Sequence, residues 1–207
     1  MKPRLDPRIF LALPLSRTVK AWLGDLQSEL KKYLEDWYFV QQDNFHVTLR
    51  FFGEIPEDQI PHIDKICRGF SGSLPPLSLM WDRIDFFGPP QAGRVLFAGC
   101  RETPELVELV EAVMDSFPEG EQRRRFRPHI TLAKARKHMS PEAVRRNSNM
   151  LSRLRKHGRI GPEPFKVDFN SFHREFVLME TVWVGRRVEY FPRERYEMKA
   201  LPKRGVV

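Results

Sequence analysis

Two four-residue segments carry the chemistry this sequence could perform: His46-Val47-Thr48-Leu49 in "NFHVTLRFFGE" and His129-Ile130-Thr131-Leu132 in "RPHITLAKA". Each sets an imidazole, a β-branched aliphatic, a hydroxyl and a leucine in the same order. Two such tetrads would arise by chance on the order of once in 10⁴ chains of this composition. If each segment is a strand, side chains alternate, so His46 and Thr48 share one face while Val47 and Leu49 take the other. The same holds for His129 and Thr131 against Ile130 and Leu132. Two imidazoles with an ordinary pKa near ~6.5 can divide proton transfer between them, one neutral and accepting, the other charged and donating. Threonine hydroxyls can donate to non-bridging phosphate oxygens and hold phosphorus between the rings. Such a device suits the opening of a cyclic phosphodiester, in which a base activates water and an acid protonates the departing sugar oxygen.

The elements that must position these residues follow from periodicity. "RIFLALPL" reads as a strand, and Ser16 then caps a helix with Val19, Trp22, Leu23, Leu26 and Leu30 at helical spacing. "DWYFV" and "FHVTLRFF" read as strands. Ile60, Ile63 and Ile66 predict a helix that holds Pro61 in its first turn. "PLSLMWDRIDFFG" and "RVLFAGC" predict an antiparallel pair around the turn "GPPQAG". A helix capped by Thr103 leads to the second motif strand, and "SPEAVRRNSNMLSRLRKHG" predicts another, stopped at Gly158. "PFKVDFNSF", "EFVLMETVWV" and "RVEYFPRERYEM" close the chain as strands. Each half thus contributes one motif strand, at a separation too long and irregular for a solenoid. The fold expected is α+β and bilobal: two antiparallel-sheet lobes with flanking helices, facing across a central cleft that carries one HxTL strand from each. No Gly/Ser-rich linker divides them, so residues 1–207 are read as a single bilobal domain.

Composition bounds the rest. Of 207 residues 41% are hydrophobic, with 16 Phe and 4 Trp, enough for a substantial core. No apolar run is long enough to span a membrane, and the N-terminal segment, with Asp6, Pro7 and Pro14, lacks a signal-peptide pattern. A cytoplasmic monomer is expected. The net charge of +8 predicts attraction to a polyanion or a phosphorylated ligand. Cys67 and Cys100 fit neither a metal site nor a disulfide framework and are read as free thiols. Neither metal nor cofactor is expected, since two histidines with hydroxyls supply too few ligands.

The paired motifs, with the opening strand "RIFLALPL" and the amphipathic helix after it, resemble the two-histidine (2H) phosphoesterase superfamily. More narrowly they resemble the RNA 2′,3′-cyclic phosphodiesterases once described as 2′–5′ RNA ligases. The resemblance spans roughly residues 7–185. It implies hydrolysis of a terminal 2′,3′-cyclic phosphate to a 2′-phosphate, with RNA ends or small cyclic nucleotides as partners. By position it implies His46 as proton donor and His129 as proton acceptor, with Thr48 and Thr131 holding the phosphate. Thr181 stands roughly where the family has a serine. Spacing alone leaves donor and acceptor interchangeable, and a descendant that binds RNA ends without turnover is the alternative reading.

Three cations are candidates for phosphate contact. Alternation sets Arg127 on the face of His129 and Thr131, and Arg50 on the face of His46 and Thr48. Lys134 occupies a position where the family often carries arginine; strict alternation turns it away, and a bulge would turn it back. Arg123, Arg124 and Arg125 read as a solvated run. His62, His138, His157 and His173 read as surface or cap residues, and Asp43 and Glu54 as loop charges. Phe45, Phe51, Phe52 and Phe126 crowd the motif strands, mostly as core, with room for one to stack on a base.

Overall fold

Strands predicted in both halves of the chain join into one antiparallel sheet, with the two motif strands side by side at its centre. The computed structural model describes residues 6–88, 95–118, 126–156, 167–185 and 187–200. In chain order these form β1 (Arg8–Pro14), α1 (Arg17–Lys31), β2 (Trp37–Phe39), β3 (His46–Glu54), α2 (Ile60–Ser71), β4 (Leu77–Phe87), β5 (Val95–Cys100), α3 (Pro104–Ser116), β6 (His129–Ala135), α4 (Pro141–Lys156), β7 (Phe169–His173), β8 (Glu175–Val184) and β9 (Arg187–Glu197). The strands run in the order β7-β4-β5-β6-β3-β1-β8-β9, and β2 adds to β6. The expected lobes are therefore halves of one sheet, β3-β1-β8-β9 and β6-β5-β4-β7, joined where Val47 pairs with Ile130.

Local chemistry explains the element boundaries. Ser16 Oγ accepts the Val19 amide and Thr103 Oγ1 the Leu106 amide, each closing an orphan donor at a helix start. Ser140 does the same for Ala143. Pro61 and Pro104 sit in first turns, where the missing amide costs nothing. Alternate residues of β1, Ile9, Leu11 and Leu13, are fully buried and join Leu23, Leu26 and Leu30 of α1 in the core. That face supplies the main stabilisation, roughly 1.5–3 kcal/mol for each large aliphatic removed from water. Among the described residues, no helix is long and apolar enough to cross a membrane.

Helix α1 also ties the halves together. Trp22 packs on Phe169, with ring centroids 4.5 Å apart, and Phe169 stacks on Trp81. Gln27, almost fully buried, donates through Nε2 to the carbonyls of Val40 and Leu132, at 2.8 and 2.7 Å. One sequence expectation changes here. His173, read as a surface or cap residue, is buried, with its Nε2 at 2.8 Å from Ser171 Oγ. Cys67 and Cys100 are free thiols as expected, and their burial pushes both up to about 12. The turn residues 89–93, Arg123 to Arg125, His157, Gly158 and the tail 201–207 lie outside the described residues.

Replacing Gln27 by leucine removes the donor to the half-buried Val40 carbonyl and the buried bond to the Leu132 carbonyl. The expected cost is about 1–3 kcal/mol, read as a lower urea midpoint with an unchanged m-value.

Candidate active site

The pairing of Val47 with Ile130 fixes the site. Extending that antiparallel register by one residue each way sets His46 opposite Thr131 and Thr48 opposite His129. All four side chains are half-buried on the concave face, while Val47, Leu49, Ile130 and Leu132 are buried on the other. The two histidines are held in the same way. His46 Nδ1 lies 2.8 Å from the Asn44 carbonyl, and His129 Nδ1 lies 2.8 Å from the Arg127 carbonyl. A carbonyl only accepts, so Nδ1 carries hydrogen in both rings and Nε2 is the nitrogen left for chemistry. His46 Nε2 lies 3.0 Å from Thr48 Oγ1.

Each ring stands between two aromatics. Phe10 and Tyr190 flank His46 at centroid distances of 4.9 and 5.0 Å, and Phe87 and Phe97 flank His129 at 5.0 and 5.5 Å. This packing desolvates the imidazoles, and burial lowers both below the usual histidine value, His46 to about 4. The nearby His129, Lys20 and Lys134 also oppose a charge on His46. A cavity of about 180 Å³ opens here, lined by His46, Thr48, Thr131, Lys134, Thr181 and Tyr190 among others.

The two motif strands share a second device. Ala12 pairs with Thr48 and Leu11 with Arg50, so Leu49 is an extra residue in β3. Phe97 pairs with Thr131 and Leu96 with Ala133, so Leu132 is extra in β6. Each bulge puts two consecutive residues on the core side and reverses the alternation beyond it. Arg50, expected on the histidine face, is therefore turned into the interior. Its guanidinium lies against Met114 Sδ and over Phe52 and Phe117. Phe51 takes the cleft position instead. In β6 the same bulge brings Lys134 round to the cleft. Gln27 and the Val40 amide both donate to the carbonyl of Leu132, the bulged residue.

Arg127 lies beside His129: its guanidinium is over Phe87 and Phe97 and 3.4 Å from Asp85. The structure thus gathers His46, Thr48, His129, Thr131, Lys134 and Arg127, and leaves Arg50 out. Sequence reasoning missed Asn44, Phe10 and Tyr190. Asn44 acts through its main chain on His46, while its side chain donates to the Val188 carbonyl of β9, 2.6 Å away. That bond draws the Tyr190 strand over the first motif. A backbone carbonyl two residues before each histidine has no residue-type signature, and Tyr190 arrives from the far end of the chain.

The sequence pattern of the 2′-5′ RNA ligase superfamily matches residues 16–168. The chain belongs to that superfamily. It is 28% identical over 142 residues to an RNA 2′,3′-cyclic phosphodiesterase of Geobacillus stearothermophilus, a match covering 66% of this chain and 45% of that protein. The match therefore spans less than half the length of that relative. A Thermotoga maritima protein of the same name is 28% identical over 137 residues, covering 62% of this chain and 70% of its own. Among solved structures, TT0787 of Thermus thermophilus shares the fold, with a TM-score of 0.72 at 22% identity over 93% of this chain and 98% of its own.

Burial of neutral imidazoles makes stability depend on pH. Between the ordinary histidine value and about 4, the unfolded chain binds protons that folded His46 and His173 do not. Stability should therefore fall as pH drops through that window. Urea midpoints at pH 7.5, 5.5 and 4.5 check this, and His46→Gln should flatten part of the slope.

Proposed function

We propose that the chain hydrolyses an RNA-terminal 2′,3′-cyclic phosphate to a 2′-phosphate by acid–base catalysis between His46 and His129. The observation that carries the reading is the matched placement of two Nε2 atoms, each with Nδ1 fixed on a backbone carbonyl and each across the strand from the other motif's threonine. Thr48 and Thr131 donate to the non-bridging oxygens. Lys134, and Arg127 from the His129 side, stabilise charge on the phosphate. Arg50 has no part in this step, because its side chain faces the opposite side of the sheet.

Electrostatics supplies the timing. In the free protein both imidazoles are held below the usual value, which readies a neutral base. A bound phosphodiester anion opposes the repulsion from Lys20, Lys134 and His129 and raises the acid. His129 then takes a proton from the attacking water, and His46, protonated, delivers one to the 3′-oxygen as the P–O3′ bond breaks. The product keeps phosphate on the 2′-oxygen. Relatives named RNA 2′,3′-cyclic phosphodiesterases support this substrate class.

The experiment uses a short RNA ending in a 2′,3′-cyclic phosphate, with EDTA present. Single His46→Ala and His129→Ala variants should each lose roughly 10²–10⁴-fold in kcat/KM, and the wild-type pH profile should be bell-shaped. Full activity in either variant sinks the mechanism. The roles separate with a p-nitrophenyl phosphodiester, whose leaving group needs no proton. His46→Ala should recover on it far more than His129→Ala; the reverse pattern would exchange donor and acceptor.

A further inference from the structure

A second cavity, about 550 Å³, adjoins the catalytic one and shares Tyr190 with it. The Tyr190 ring lies perpendicular to that of His46, with centroids 5.0 Å apart, and borders both spaces. The second cavity lies where β1 runs into α1, opposite the β7–β8 junction, and its lining includes Lys20, Phe172, Arg174, Val177 and Arg195. Its volume suits a nucleotide, whereas the catalytic cavity is below the ~300 Å³ at which pockets for whole ligands begin.

The lining chemistry is that of a strand rather than of an apolar ligand. Phe172 is 59% exposed, a large ring left in solvent at the mouth. The guanidinium of Arg174 lies 5.4 Å from its centroid. An exposed aromatic ring with an arginine guanidinium over one face offers its other face for a nucleobase to stack on. Lys20 and Arg195 add positive charge to the same walls, which also carry Asp43 and Glu175; Arg195 pairs with Glu175, Lys20 donates to the Asp43 carbonyl, and with Arg174 the cations still outnumber the acids. Val177 and Met179 of β8 give an apolar floor.

Direction follows from the proposed reaction, on which this inference rests. The acid His46 faces the 3′-oxygen of the terminal sugar, so that sugar lies on the His46 side and the strand continues past Tyr190. We propose that the second cavity binds the penultimate nucleotide of an RNA strand, its base on Phe172 and Arg174 and its phosphodiester near Lys20. The substrate class is then an oligonucleotide end, and a free cyclic mononucleotide fills only part of the site.

Binding decides this independently of turnover. The probes are adenosine 2′-phosphate and the dinucleotide ApA carrying a terminal 2′-phosphate, titrated calorimetrically into wild type and the double variant Phe172→Ala/Arg174→Ala. Both replaced side chains are exposed, and an unchanged Tm verifies the fold. Wild type should bind the dinucleotide at least tenfold more tightly, and the double variant should lose that advantage while its mononucleotide affinity stays within twofold. Equal affinities in wild type, equal weakening of both probes, or binding of neither would overturn the second site. Turnover of the cyclic RNA, followed in parallel, tests the proposed reaction: its absence alongside the predicted binding pattern would remove the reaction and leave the cavity assignment standing.

Discussion

One cross-strand pair, Val47 against Ile130, holds the two halves of the molecule in register, and the arrangement of the concave face follows from it. A strand's side chains alternate with period two, so a one-residue slip of either motif strand would send its histidine into the core and its aliphatics into the cleft. Burial of Val47, Leu49, Ile130 and Leu132 resists that slip, because each loses its apolar contacts if exposed. The hydrophobic effect on one face thereby fixes the chemistry on the other. The helices add to this restraint, with α1 reaching from the first half to Phe169 and the Leu132 carbonyl of the second.

Within that register the main chain sets the fine geometry. A backbone carbonyl two residues upstream fixes each imidazole's tautomer, which leaves side-chain identity at those upstream positions free to differ, Asn44 in one strand and Arg127 in the other. Matching bulges then reverse the alternation after each threonine. In β3 the reversal brings in an aromatic, Phe51, and in β6 a cation, Lys134. The two halves share a backbone plan while their cleft residues diverge, and this makes a nearly symmetric scaffold chemically polar.

The electrostatic design works through burial more than through count of charges. Surface ion pairs such as Arg68 with Asp64 and Glu194 add little to stability and leave the net charge of +8 unchanged. At the site a few cations sit beside half-buried imidazoles in an aromatic setting. There burial holds both imidazoles below the ordinary histidine value, and neighbouring cations add to the effect on His46.

The sequence by itself determined the two catalytic candidates, their threonine neighbours, the helix starts at Ser16 and Thr103, and the order of strands and helices. These rest on local rules: alternation, capping and spacing along the chain. It also located Arg127 beside His129, two residues upstream on a short extended segment. The tertiary structure decided which cations face the cleft, since a bulge turned Arg50 inward and Lys134 outward, and bulges depend on what the neighbouring strand and Gln27 offer. It decided the burial of His173, which depends on packing between β4, β7 and the end of β1. It also brought Tyr190 against His46 through a hydrogen bond from Asn44 to a strand formed at the far end of the chain. Contacts of that span leave no period in a sequence; they exist only once the sheet has closed its register.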